Sequence, residues 1–135
     1  MARMRTGWCE RVFLILILLI SCTHGRKMHF DADSWKKDPN GCLGMRMSIY
    51  PALMEHRKDL LALDNEKIIK ILGAPAINEL YKRNQKFFVY PITTSGTACT
   101  AGSKDMTEEL YLIIRFNATG LANEIFINNN RSPFR

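Results

Sequence analysis

No stretch of this 135-residue chain stays apolar for the roughly 20 residues that a permanent membrane-spanning helix needs. Its longest apolar run, VFLILILLI at 12–20, has nine residues. The four cysteines include no CxxC, and no histidine pair stands at ligand spacing, which argues against a structural zinc site. Charge of one sign is weak too. The net +6 falls to +4 once residues 1–21 are removed, leaving 16 basic against 12 acidic side chains. Such a surplus helps a domain lie near anionic headgroups but does not argue for nucleic acid. Internal repeats and low-complexity tracts are absent. A catalytic constellation is also missing. His24 and His29 precede the domain, His56 is its sole histidine, and no histidine near Cys99 can serve as its base. Asp64 and Glu66 have helix-capping roles, while Glu108 and Glu109 open a strand and point to opposite faces. The chain reads as a non-enzyme with no cofactor.

What is present begins with an address. Arg3, Arg5 and Arg11 form a basic start, the run at 12–20 suits a signal-peptide core, and Leu19-Ile20-Ser21-Cys22 closes it. LISC matches the bacterial lipobox, which implies cleavage before Cys22 and acylation of its thiol and amino group with palmitate-class chains. Several chains bury enough methylenes, at about 0.8 kcal/mol each, to make release negligible. An ordinary secretory cut after Gly25 is the alternative. Thr23 after the cysteine, rather than Asp, resembles lipoproteins sent to the outer membrane.

Cys9 then leaves with the leader and Cys22 carries lipid, so Cys42 and Cys99 remain as an even pair in an exported domain. Either they form a disulfide across a 57-residue interval or they are two buried thiols. The chain divides into a lipoprotein signal peptide at 1–21, a lipidated tether at 22–41, an α+β domain at 42–128 and a flexible tail at 129–135. In the tether, Trp35 beside Lys36 and Lys37 either packs onto the domain edge or anchors at a membrane or partner.

Apolar spacing predicts a helix over 45–61, with Met45, Ile49, Leu53 and Leu60 on one side and Met47, Tyr50, Met54 and Leu61 beside them. Arg46, Glu55 and Lys58 are expected on the solvent side, and Pro51 should kink or restart the helix. A second helix is capped by Asp64, buries Ile68, Ile69, Ile71 and Leu72, and stops at Gly73-Ala74-Pro75. The period then changes. Strands are expected at 77–81, 86–93, 108–116 and 121–127, with a polar turn at 82–85, a loop at 94–106 and a hairpin turn at Asn117-Ala118-Thr119-Gly120. Pro91 should mark an edge or a bulge. The expected fold is α+β: two N-terminal helices on a three- to four-stranded antiparallel meander.

Leu72-Gly73-Ala74-Pro75 closing a short helix resembles the LG-x-P signature of the SmpA/OmlA (BamE-like) small outer-membrane lipoprotein family. The final YLIIRFNATGLANEIFI resembles that family's last hairpin, in which an apolar strand ends in F-x-x-x-G and returns. The resemblance covers residues 53–127. It implies the family's two-layer fold, shared with β-lactamase-inhibitor-like domains, and a link to outer-membrane protein assembly or envelope maintenance. The segment WKKDPNGC at 35–42, the cysteine pair and the long loop at 94–106 depart from the pattern, so the chain resembles a divergent subgroup.

The leading expectation is a non-catalytic, lipid-anchored interaction module on the periplasmic face of the outer membrane, monomeric and bound to an envelope partner. Trp35 and the basic turn residues Lys82, Arg83 and Lys86 are its candidate contacts to a partner or membrane, with Phe88 and Tyr90 as sheet aromatics. The bland reading makes Phe88 and Tyr90 core and the basic turn a solvated loop. From another class comes a secreted or lipid-anchored inhibitor or ligand-binding protein that uses its sheet face.

Overall fold

The change of period at Pro75 divides the architecture. Among the described residues, three short helices before it form one layer and four strands after it form the other. The computed structural model describes residues 29–95, 99 and 108–132. The leader at 1–21, Cys22, the Gly25 cleavage site and most of the 94–106 loop lie outside the described residues.

Helix α1, Ala32–Lys37, starts at Asp31, whose side chain accepts the Ser34 N–H at 3.0 Å. This departs from the expected tether, because Trp35 is fully buried and belongs to the main core. The fold therefore begins about ten residues before Cys42. Helix α2, Met45–Glu55, carries Pro51 on its exposed side and gives way to a 3-10 turn, Arg57–Leu60. Helix α3, Asn65–Leu72, matches expectation at both ends. Asp64 accepts the Lys67 N–H at 2.9 Å, and Gly73 takes φ 81° and donates to Ile69 O. Its buried residues are Ile68 and Leu72, whereas Ile69 is exposed.

The stripe on α2 differs from the predicted one. Arg46 is buried with Leu53, while Ile49, Tyr50 and Met54 pack partly against the core. Met45 and Met47, expected inside, are exposed. Positions 46, 49, 50, 53 and 54 form an unbroken helical face in which an arginine occupies the first apolar place.

The strands are β1 Ile77–Tyr81, β2 Gln85–Thr93, β3 Leu110–Phe116 and β4 Ala122–Asn128, each within two residues of expectation. They pair antiparallel in the order β1-β2-β3-β4. The register shifts between Pro91 and Thr93, the bulge expected at Pro91. Phe88, Tyr90, Ile92, Leu112, Ile114 and Phe116 meet the helices in the main core. Phe87, Val89, Tyr111 and Ile113 form a second cluster on the opposite face, built from strand residues among those described. The central strands are thus apolar on both faces.

Topology gives the domain two distinct ends. Lys86 pairs with Phe116, Phe116 with Ala122, and Ala122 exchanges backbone hydrogen bonds with Ala62 and Leu63. The β1–β2 turn and the segment after α2 therefore share one end of the sheet. At the other end, Arg46 near the start of α2 reaches Pro91.

Candidate functional site

A buried clasp holds α1 and the start of α2 to the sheet at the Pro91 end. The N-cap of α2 is Gly44, at φ 75° with no side chain to offer. Asp38 supplies the missing acceptor. Its Oδ1 takes the Leu43 N–H at 3.0 Å, and its Oδ2 takes those of Met45 and Arg46 at 3.1 and 3.4 Å. Three donors and the positive end of a helix make this a favourable place for a buried carboxylate.

Arg46 serves the carbonyls. Its Nε donates to Trp35 O at 3.1 Å, and Nη1 donates to Pro39 O and Pro91 O, each at 2.8 Å. The guanidinium lies 4.7 Å from the Trp35 ring centroid and 5.8 Å from that of Tyr90. Val89 is the last β2 residue paired with β1, so Pro91 sits past the end of that strand. The ladder asks no N–H of it there, and Arg46 takes its carbonyl instead. Burial lowers the Arg46 pKa to about 10, although Asp38 pulls it back up, so the group stays charged at neutral pH.

Gly41 and Cys42 complete the clasp. Gly41 is at φ 68°, and a Cβ there would stand 2.6 Å from Ile92 O, so only glycine lets this loop lie against β2. Next to it, Cys42 is disulfide-bonded to Cys99, with Cα atoms 5.6 Å apart.

Tyr90 donates to Gly73 O at 3.0 Å and is held protonated far above its usual range by burial. Tyr111 is pushed up to about 12 by burial first and then by Glu109, which accepts its hydroxyl at 2.7 Å. The unfolded chain ionises these phenols near pH 10, where the folded chain keeps its protons. Their contribution is thus intact below about pH 10 and lost as pH rises toward 12. Arg46 acts with the opposite sign, since its folded form releases the proton first. Two phenols against one guanidinium leave a net loss. An alkaline titration should show Tyr90 and Tyr111, two of four tyrosines, ionising late and together with the loss of helical circular dichroism. Early ionisation of all four with the fold intact would contradict this.

The predicted contact residues separate. Trp35 is core, so it presents no surface to a membrane or partner; its ring carries Arg46 instead. Phe88 and Tyr90 are core as well. Lys82 and Arg83 stand exposed together in the β1–β2 turn, a 3-10 turn at Lys82–Asn84. Arg83 and Asn84 have positive φ, a strained setting for arginine of roughly 1–2 kcal/mol. Lys86 is half-buried, its Nζ 5.9 Å from the Phe88 ring centroid. Leu80 is 73% and Tyr81 40% exposed, so the hairpin tip offers apolar area beside its cations.

His56 stacks on His29 at 4.8 Å between ring centroids and lies 4.0 Å from Asp59 Oδ2. Among the described residues no group of three His, Cys, Asp or Glu is placed to hold a metal ion. On the sheet face away from the helices, a pocket of about 190 Å³ is lined by Ile77, Val89, Tyr111 and Arg131, among others. That volume is below the several hundred Å³ usual for small-molecule sites. The sequence marks Gly41 only as part of a Pro39-Asn40-Gly41 turn and puts Arg46 on the solvent side, where the structure buries it; the signal available for the clasp was DPNG followed by a helix with no cap of its own.

No family model, no curated protein and no solved structure matches this chain. The structure is an α+β domain of three helices and a four-stranded antiparallel sheet among the described residues, closed by the Cys42–Cys99 disulfide.

Proposed function

We propose that this chain is a non-catalytic bacterial lipoprotein, anchored through Cys22 and acting as a protein-interaction module in the cell envelope. The observation that carries this reading is a disulfide-closed domain directly behind a leader that ends in LISC. A persistent disulfide suits an oxidising compartment, and the lipobox supplies the anchor. Resemblance to the SmpA/OmlA family adds outer-membrane protein assembly or envelope maintenance as the setting, on the periplasmic face of the outer membrane.

Among the described residues no strand pairs with the outer side of β1, which supports an interaction role. The start of β4 is covered by Ala62 and Leu63, whereas β1 ends the sheet with four of its five residues exposed. An uncovered edge can accept an extended segment of a partner by strand addition. Crosslinking in intact envelopes tests this reading. Wild type should give a discrete product with another envelope protein, and Cys22→Ser should lose it. Wild type that yields no specific product would overturn the interaction role.

A further inference from the structure

We propose that the domain docks end-on against an anionic phospholipid surface, with the β1–β2 hairpin and the turn after α2 as its contact. The inference rests on the lipid-anchor reading above and adds an orientation to it.

The first support is where the described chain begins. Only residues 23–28 separate Cys22 from His29, so even full extension allows roughly 25 Å between the anchor and the fold. His29 stacks on His56, immediately before the Arg57–Leu60 turn. The chain therefore enters the fold at the end of the sheet that also bears the β1–β2 turn. That point of entry keeps the hairpin end within roughly 25 Å of the bilayer.

Charge supplies the second support. Lys82, Arg83 and Lys86 lie on the hairpin, and Arg57 and Lys58 flank the entry point. The acids at this end include Glu55, Asp59, Asp64, Glu66, Glu79 on β1 and Glu124 on β4, the last paired with Arg115 at 2.9 Å. Asp64 is held by Lys67 at 2.6 Å, and Asp59 lies beside His56. The hairpin itself keeps three cations against one carboxylate, with Leu80 and Tyr81 exposed between them. Basic groups beside exposed apolar and aromatic side chains suit a headgroup layer, where cations meet lipid phosphates and the rings sit at the boundary.

Lysine acylation footprinting tests the proposal. Purified full-length mature protein is reconstituted in vesicles of phosphatidylcholine alone or with phosphatidylglycerol, neither of which carries a primary amine that could be acylated. On the anionic vesicles Lys58, Lys82 and Lys86 should react roughly fivefold more slowly, while Lys37, at the opposite end, is unchanged. The Lys82→Glu/Arg83→Glu variant should lose the slowing at Lys58. Protein that floats with both vesicles but reacts equally on each would overturn docking and leave the anchor intact. Slowing at Lys37 instead would also overturn it, since the other end would then face the lipid. Failure to float with phosphatidylcholine would count against the anchor alone, and slowing only in the presence of phosphatidylglycerol would still uphold docking.

Discussion

Asp38→Ala should destabilise the domain by about 3–5 kcal/mol, the range for removing one partner from a buried, hydrogen-bonded charge system. Asp38 is 1% exposed and accepts three backbone N–H groups at the start of α2. Its loss orphans all three donors and leaves the equally buried Arg46 without its nearest counter-charge. Asp38→Asn keeps the shape while removing the charge, so it should recover part of the loss. Urea midpoints of the two variants measure this directly. Wild-type stability in Asp38→Ala would contradict the clasp.

Removing the disulfide comes next. Cys42→Ser/Cys99→Ser frees a loop of 57 residues, which a chain-entropy treatment sets at about 4 kcal/mol. Against a typical total of about 5–15 kcal/mol, that is a large share. Thermal unfolding with and without reductant should show a lowered midpoint only where the bridge was present. The two effects will fall short of additivity, because Asp38, Gly41 and Cys42 belong to one loop against β2. A bridge whose removal leaves the midpoint unchanged would mean that the clasp holds the loop alone.

The sheet was legible because its signals are local. Alternation, β-branched runs and Asn117-Gly120 chemistry fix the strands to within two residues. The α3 caps are local too, with Asp64 and Gly73 acting on their own helix. The clasp was not legible, for a physical reason. Asp38 caps a helix that begins seven residues later, and Arg46 reaches a carbonyl 45 residues away. Reading Arg46 as solvent-facing misplaced only the first turn of the α2 stripe, putting Met45 and Met47 inside, while Ile49, Tyr50, Leu53 and Met54 face the core as expected. A buried arginine breaks the apolar pattern just where tertiary carbonyls make it tolerable. For Trp35 the structure decides for packing over anchoring, and it goes further than the domain edge, since the ring's neighbours in sequence are polar and its neighbours in space are core.

The hairpin tip is the reverse case. Lys82 and Arg83 are as exposed as their composition suggests, but topology alone places them at the end where the chain enters. That juxtaposition gives an otherwise ordinary polar turn a direction relative to the membrane.

The measurement closest to the central claim is the mass of the N-terminal peptide of the protein purified from membranes. It should begin at Cys22 and carry the added mass of several acyl chains. An unmodified peptide beginning at Arg26 would contradict the account and leave an exported domain with no anchor at Cys22.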